Sequence, residues 1–170
     1  MKNIALVVLC LAMLSGCDKK ASLNTIGLMD QASQQSAKLA LAMDSIKGKW
    51  EFVGSAEDKA YLDSAWNDTK DATTSISFGF FKGVEALKAK PRISQEAAKQ
   101  IGNTKDTVPA LGKLFASMAR FIQPKTPEDT ATLEAWRIQM LEGFNQLTLT
   151  VNRLDASIQS DMATASTTGK

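Results

Sequence analysis

Residues 133–158 read LEAWRIQMLEGFNQLTLTVNRLDASI. Leu133, Met140, Phe144, Leu147, Val151, Leu154 and Ile158 recur at alternating steps of four and three, with Arg137 the only interruption at its slot. Such steps return to one side of a helix of 3.6 residues per turn, whereas a strand would show its apolar residues at every second position. Polar residues fill the other side, so the stretch reads as one amphipathic helix.

The same rhythm occurs three more times upstream. Thr25, Met29, Ala32, Ser36, Leu39, Met43, Ile46 and Trp50 form a first stripe. Leu62, Ala65, Thr69, Ala72, Ile76, Phe80, Gly83 and Leu87 form a second, and Ala97, Ile101, Thr104, Val108, Leu111, Phe115, Met118 and Ile122 a third. Four stripes joined by short connections predict an all-α fold, an antiparallel four-helix bundle spanning residues 23–162. Sparse Pro and Gly, with abundant Ala, Leu, Lys, Gln and Glu, agree with that class.

Boundary signals fall between the stripes. Gly48 and Gly54 bracket the first connection, and Ser55 with Asp58 three residues later fits an N-cap. Pro91 closes the second helix and Ser94 can cap the third. In Gln123-Pro-Lys-Thr-Pro-Glu-Asp129, Thr126 is placed to cap and Pro127 to occupy the first turn. Gly102-Asn103 and Val108-Pro109 predict a kink or break in the third helix near residues 102–109. Residues 163–170, small and polar, read as a disordered tail.

The first sixteen residues differ from the rest. Lys2 supplies a positive charge, Ile4 to Leu14 are uncharged and mostly apolar, and Ser15-Gly16 are small. This is the layout of a secretory signal peptide, and the apolar run is shorter than the roughly 20 residues a spanning helix needs. Leu14-Ser15-Gly16-Cys17 resembles the lipobox of bacterial lipoproteins. The resemblance covers residues 1–17 alone. It implies cleavage before Cys17, acylation of the Cys17 thiol and new amino terminus, and a lipidated tether over residues 17–22. It also implies attachment to the bacterial cell envelope, facing the periplasm. Asp18 resembles the inner-membrane retention signal of enterobacterial lipoproteins, although Lys19 departs from its strongest versions and a solvated spacer fits equally.

Composition excludes much chemistry. The chain has no histidine, which removes Ser-His and Cys-His catalysis and the histidine ligands of bundle iron sites. Cys10 lies in the leader and Cys17 is committed to lipid, so neither a disulfide nor a thiol ligand is expected. Loss of Lys2 would leave 19 basic against 18 acidic residues, and no basic patch interleaved with aromatics argues for nucleic acid. Glu57, Asp68 and Asp71 share one helical face with Tyr61, which fits a hard-cation site or, more simply, a solvated surface. Neither a metal site nor a cofactor beyond the lipid on Cys17 is expected, and no catalytic residue is assigned.

Contact candidates are aromatic. In Ser77-Phe78-Gly79-Phe80-Phe81 a narrow seam buries Phe80, leaving Phe78 and Phe81 for wider burial or for a partner. Trp50 and Phe52, between two glycines, either seal the end of the bundle or form a binding lip. Trp136 beside Arg137 fits both packing and a hot spot. Two functions follow: a non-enzymatic module, of immunity or exclusion type among others, that binds an envelope protein, and a carrier whose bundle opens around a lipid or other apolar ligand. A continuous cavity along the stripes would favour the carrier, and a filled core the module.

Overall fold

The structure, a computed structural model, describes residues 19–46 and 48–164. The leader and Cys17 lie outside these residues. Four helices dominate: α1 (Leu23–Ser45), α2 (Ala56–Ala89), α3 (Gln95–Ala119) and α4 (Thr130–Thr164). Each packs on its neighbours in sequence, and α4 closes the ring against α1, giving the antiparallel four-helix bundle. At 1.5 Å per residue, the 34 residues of α2 span about 50 Å.

The helix starts follow from their caps. Ser22 Oγ accepts the Thr25 N–H at 3.2 Å, and Ser94 Oγ accepts that of Ala97 at 3.1 Å. Ser55 and Asp58 form a complete capping box at the start of α2. Thr126 precedes a 3-10 turn (Pro127–Asp129), and its hydroxyl donates to the Asp129 carboxylate without capping a backbone N–H.

Both poles of the bundle are closed by short strand pairs that the helical reading did not foresee. At one pole, β1 (Lys19–Lys20) pairs antiparallel with β3 (Arg92–Ile93), extended by Ala21 N–H to the Pro91 carbonyl at 2.9 Å. Lys19–Ser22, read from sequence as tether, is thereby held against the body. At the far pole, β2 (Trp50–Phe52) pairs with β4 (Ile122–Pro124), flanked by bonds from Val53 N–H to Phe121 O and Lys125 N–H to Lys49 O. The first helix stops at Ser45, just ahead of the connection that Gly48 and Gly54 bracket. Gly48, at φ +97°, turns the chain in a conformation that other residues seldom adopt.

The kink or break expected near residues 102–109 is not shown: α3 is a single helix with Pro109 inside it. Proline removes one ladder bond and crowds the preceding turn, a cost of about 3 kcal/mol. Ile101, Val108 and Leu111 are buried on the continuous face, and each such burial contributes about 1.5–3 kcal/mol. Lys105 on α3 also bonds Asp155 on α4 at 2.9 Å, so the packed face outweighs the missing rung.

Within the core, the stripe residues lie against one another in one apolar cluster. The buried hydroxyls of Ser36, Thr69, Thr73 and Thr104 donate to carbonyls four residues back on their own helices. They are satisfied locally and direct no donor across the core. Gly143 allows close approach of α1 and α4, because a Cβ there would lie 2.7 Å from Leu39 Cδ2.

Candidate functional site

At the far pole the aromatic residues form one cluster centred on Trp66 of α2. Its ring centroid lies 4.7 Å from Trp50, 6.1 Å from Phe52, 6.3 Å from Phe115 and 5.7 Å from Trp136. Phe115 continues the cluster to Phe144 at 5.6 Å. Such pairs add stability beyond the area they bury. Trp50 and Phe52 are thus folded inward by the β2–β4 ladder, sealing the bundle. Trp136 is buried too, and its indole N–H donates to the Ala42 carbonyl at 2.8 Å.

This arrangement explains the anomaly at Arg137. Trp136 fills the seam position, while Arg137 turns aside so that its guanidinium donates to the Ile122 carbonyl and meets Glu134 at 3.1 Å. Between α1 and α4, beside Trp136, an open depression of about 480 Å³ is lined by Ser45, Ile46, Lys49, Thr132, Ala135 and Gln139. Hydroxyls, an amide and one ammonium can hydrogen-bond a partner's backbone, but they supply no nucleophile paired with a base.

The aromatic candidates on α2 behave differently. Phe80 is buried, whereas Phe78 and Phe81 are 61% and 47% exposed. The Lys82 ammonium lies 5.5 Å from the Phe78 centroid and 5.7 Å from that of Phe81, within cation–π range of both. The core stripe therefore takes one ring of the three and leaves two in solvent, joined by a cation.

A third surface was not singled out from sequence. Ile138, Leu141 and Leu149 lie along the outer side of α4 and are 52%, 37% and 49% exposed. At 100° per residue the three fall within one 80° arc beside the core seam, a largely apolar ridge that also carries the exposed Asn145. Leu41 on α1 is also exposed, one turn before Ser45 of the depression. The available signal was an excess of apolar residues over the seam in Trp136–Leu149.

Glu57, Tyr61, Asp68 and Asp71 are all exposed on α2. Among the described residues, no three His, Cys, Asp or Glu side chains group so as to hold a metal ion. No described helix is long and apolar enough to cross a membrane. Cys17 lies outside the described residues, so its environment is not part of this geometry. No family model matches the chain, and neither the curated proteins nor the solved structures contain a match to it.

Proposed function

We propose that this chain is a lipid-anchored protein of the bacterial cell envelope that faces the periplasm and binds another envelope protein without catalysing a reaction. The anchor is Cys17, on the strength of the leader and the Leu14-Ser15-Gly16-Cys17 lipobox. Asp18 favours retention at the inner membrane. The observation that carries the binding reading is the ridge of Ile138, Leu141 and Leu149, which the bundle's own packing does not use. Aligned apolar side chains left in water on a well-packed domain mark an interaction surface. The adjoining depression supplies hydrogen-bonding groups beside that ridge.

The carrier reading gains less support, because the apolar stripe residues pack into one cluster and the Ser36, Thr69, Thr73 and Thr104 hydroxyls bond their own helices. In-cell photocrosslinking from position 138 or 149 of the acylated protein tests the proposal. One reproducible envelope partner, lost on Ile138→Glu, is the expected result. Uniform crosslinking to bulk lipid or to no protein overturns it. The anchor is tested separately by Cys17→Ala, which should abolish acylation and normal processing.

A further inference from the structure

The strand pair at the first pole fixes how far the body can stand from its anchor. Lys19 is already paired with Ile93, and Lys20 with Arg92. Ser22 N–H bonds the Asp161 carboxylate at 2.9 Å, tying the same segment to α4. Between the Cα atoms of Cys17 and Lys19 a chain can extend at most about 7 Å. An acylated Cys17 would therefore hold this pole within about one Debye length, ~10 Å at 0.1 M salt, of the headgroups.

That pole is basic. Lys20, Lys88 and Arg92 are exposed and Lys19 is half-buried, and none of these four has an ion-pair partner among the described residues. Glu85 and Glu96 are the exposed acids nearby in sequence. On α2, Phe78, Phe81, Lys82 and Lys88 fall within one arc of about 120° at 100° per residue. Glu85 lies inside this arc. Exposed rings beside lysines on one helix face match what an anionic bilayer interface binds, rings at the headgroup boundary and ammonium groups against phosphates.

Resting on the lipoprotein reading, we infer that the bundle docks directly onto an anionic bilayer. It leans on the carboxyl-terminal half of α2, with Lys20, Lys82, Lys88 and Arg92 against headgroups and Phe78 and Phe81 at the boundary. The β2–β4 pole and its depression then point away from the membrane.

The test uses the acylated mature protein on vesicles of phosphatidylcholine with and without phosphatidylglycerol. A thiol-reactive solvatochromic dye is placed at Ala89→Cys on the leaning face or at Ser45→Cys at the far pole. Acylation blocks the Cys17 thiol, and the mature chain holds no other. The Ala89 dye should report an apolar environment on the anionic vesicles only, and revert in 1 M salt, where the screening length is about 3 Å. Each basic residue near such a surface contributes a factor of about 5. Lys88→Glu with Arg92→Glu should therefore lower the docked-to-free ratio at least about 25-fold, and Phe78→Ala with Phe81→Ala should lower it as well. The Ser45 dye should read water throughout. If the protein floats with anionic vesicles while the Ala89 dye reads water, docking is overturned and the anchor stands. An equal response on uncharged vesicles overturns the electrostatic contact. If the processed protein does not float at all, the anchor fails and this inference with it.

Discussion

Thr25 donates its hydroxyl to Asp161 Oδ2 across 2.6 Å, joining the first turn of α1 to the last turns of α4. The same carboxylate oxygen accepts the Ser22 N–H, and Thr25 Oγ1 also lies 2.7 Å from Ser157 Oγ. Thr25 is fully buried, so these partners satisfy a hydroxyl that water does not reach.

Removing the carboxylate leaves that hydroxyl and a backbone N–H short of partners. Asp161→Ala should destabilise the protein by about 1–3 kcal/mol, read from the denaturant midpoint at unchanged slope. Hydrogen exchange should rise first at residues 19–26, where β1 and the start of α1 depend on this contact.

The aromatic residues separate into two groups by location. Trp66→Ala removes the hub of the far-pole cluster and should cost about 3–5 kcal/mol. Phe78→Ala, at an exposed ring, should change stability by no more than about 0.5 kcal/mol. Thermal or chemical unfolding of the two variants distinguishes them, and near-equal losses would contradict the assignment.

Pro109 lies within a continuous helix, so restoring its N–H should help. Pro109→Ala recovers a helix-interior cost of about 3 kcal/mol, less about 0.4–1 kcal/mol for the freer unfolded chain. A net gain in unfolding free energy of about 2–2.6 kcal/mol is expected, and a loss would show that the chain is adapted to proline there.

At the start of α2, two hydrogen bonds from Ser55, its hydroxyl first and then its backbone N–H, hold the Asp58 carboxyl below its ordinary value of 3.8. A depressed carboxylate stabilises the fold fully above the unfolded value, and this contribution is lost as pH falls through the lower folded one. The first turn of α2 should therefore fray only below about pH 4. Carbon-detected titration should give an Asp58 midpoint below 3.8 that returns towards it in Ser55→Ala.

Most of the core was legible because burial and helical period coincide. Every residue of the first stripe from Thr25 to Ile46, and of the third from Ala97 to Ile122, is buried. Trp66 was not, since it stands beside Ala65 on the broad flank of its stripe and becomes a hub only when β2 brings Trp50 over it. The strands were illegible for a related reason. Two- and three-residue ladders carry no period of their own, and the pairing of Trp50 with Pro124 depends on helices bringing both connections to one pole. Over residues 102–109 local chemistry predicted a kink or break, and α3 runs through as one helix on its packed face. Of the contact candidates, the pattern at residues 78–81 correctly marked Phe80 for the core, but it could not show that both flanking rings stay in water.

The bond from Ser22 to Asp161 brings the two ends of the described chain to one pole. A reporter domain fused after α4 would therefore crowd the side where β1 begins. Inserted between Gln123 and Thr126 it would sit about 50 Å away, at the opposite pole. The same proximity makes the fold a candidate for circular permutation: a short linker joining residue 164 to residue 19, with new ends opened at Lys125, should retain the bundle.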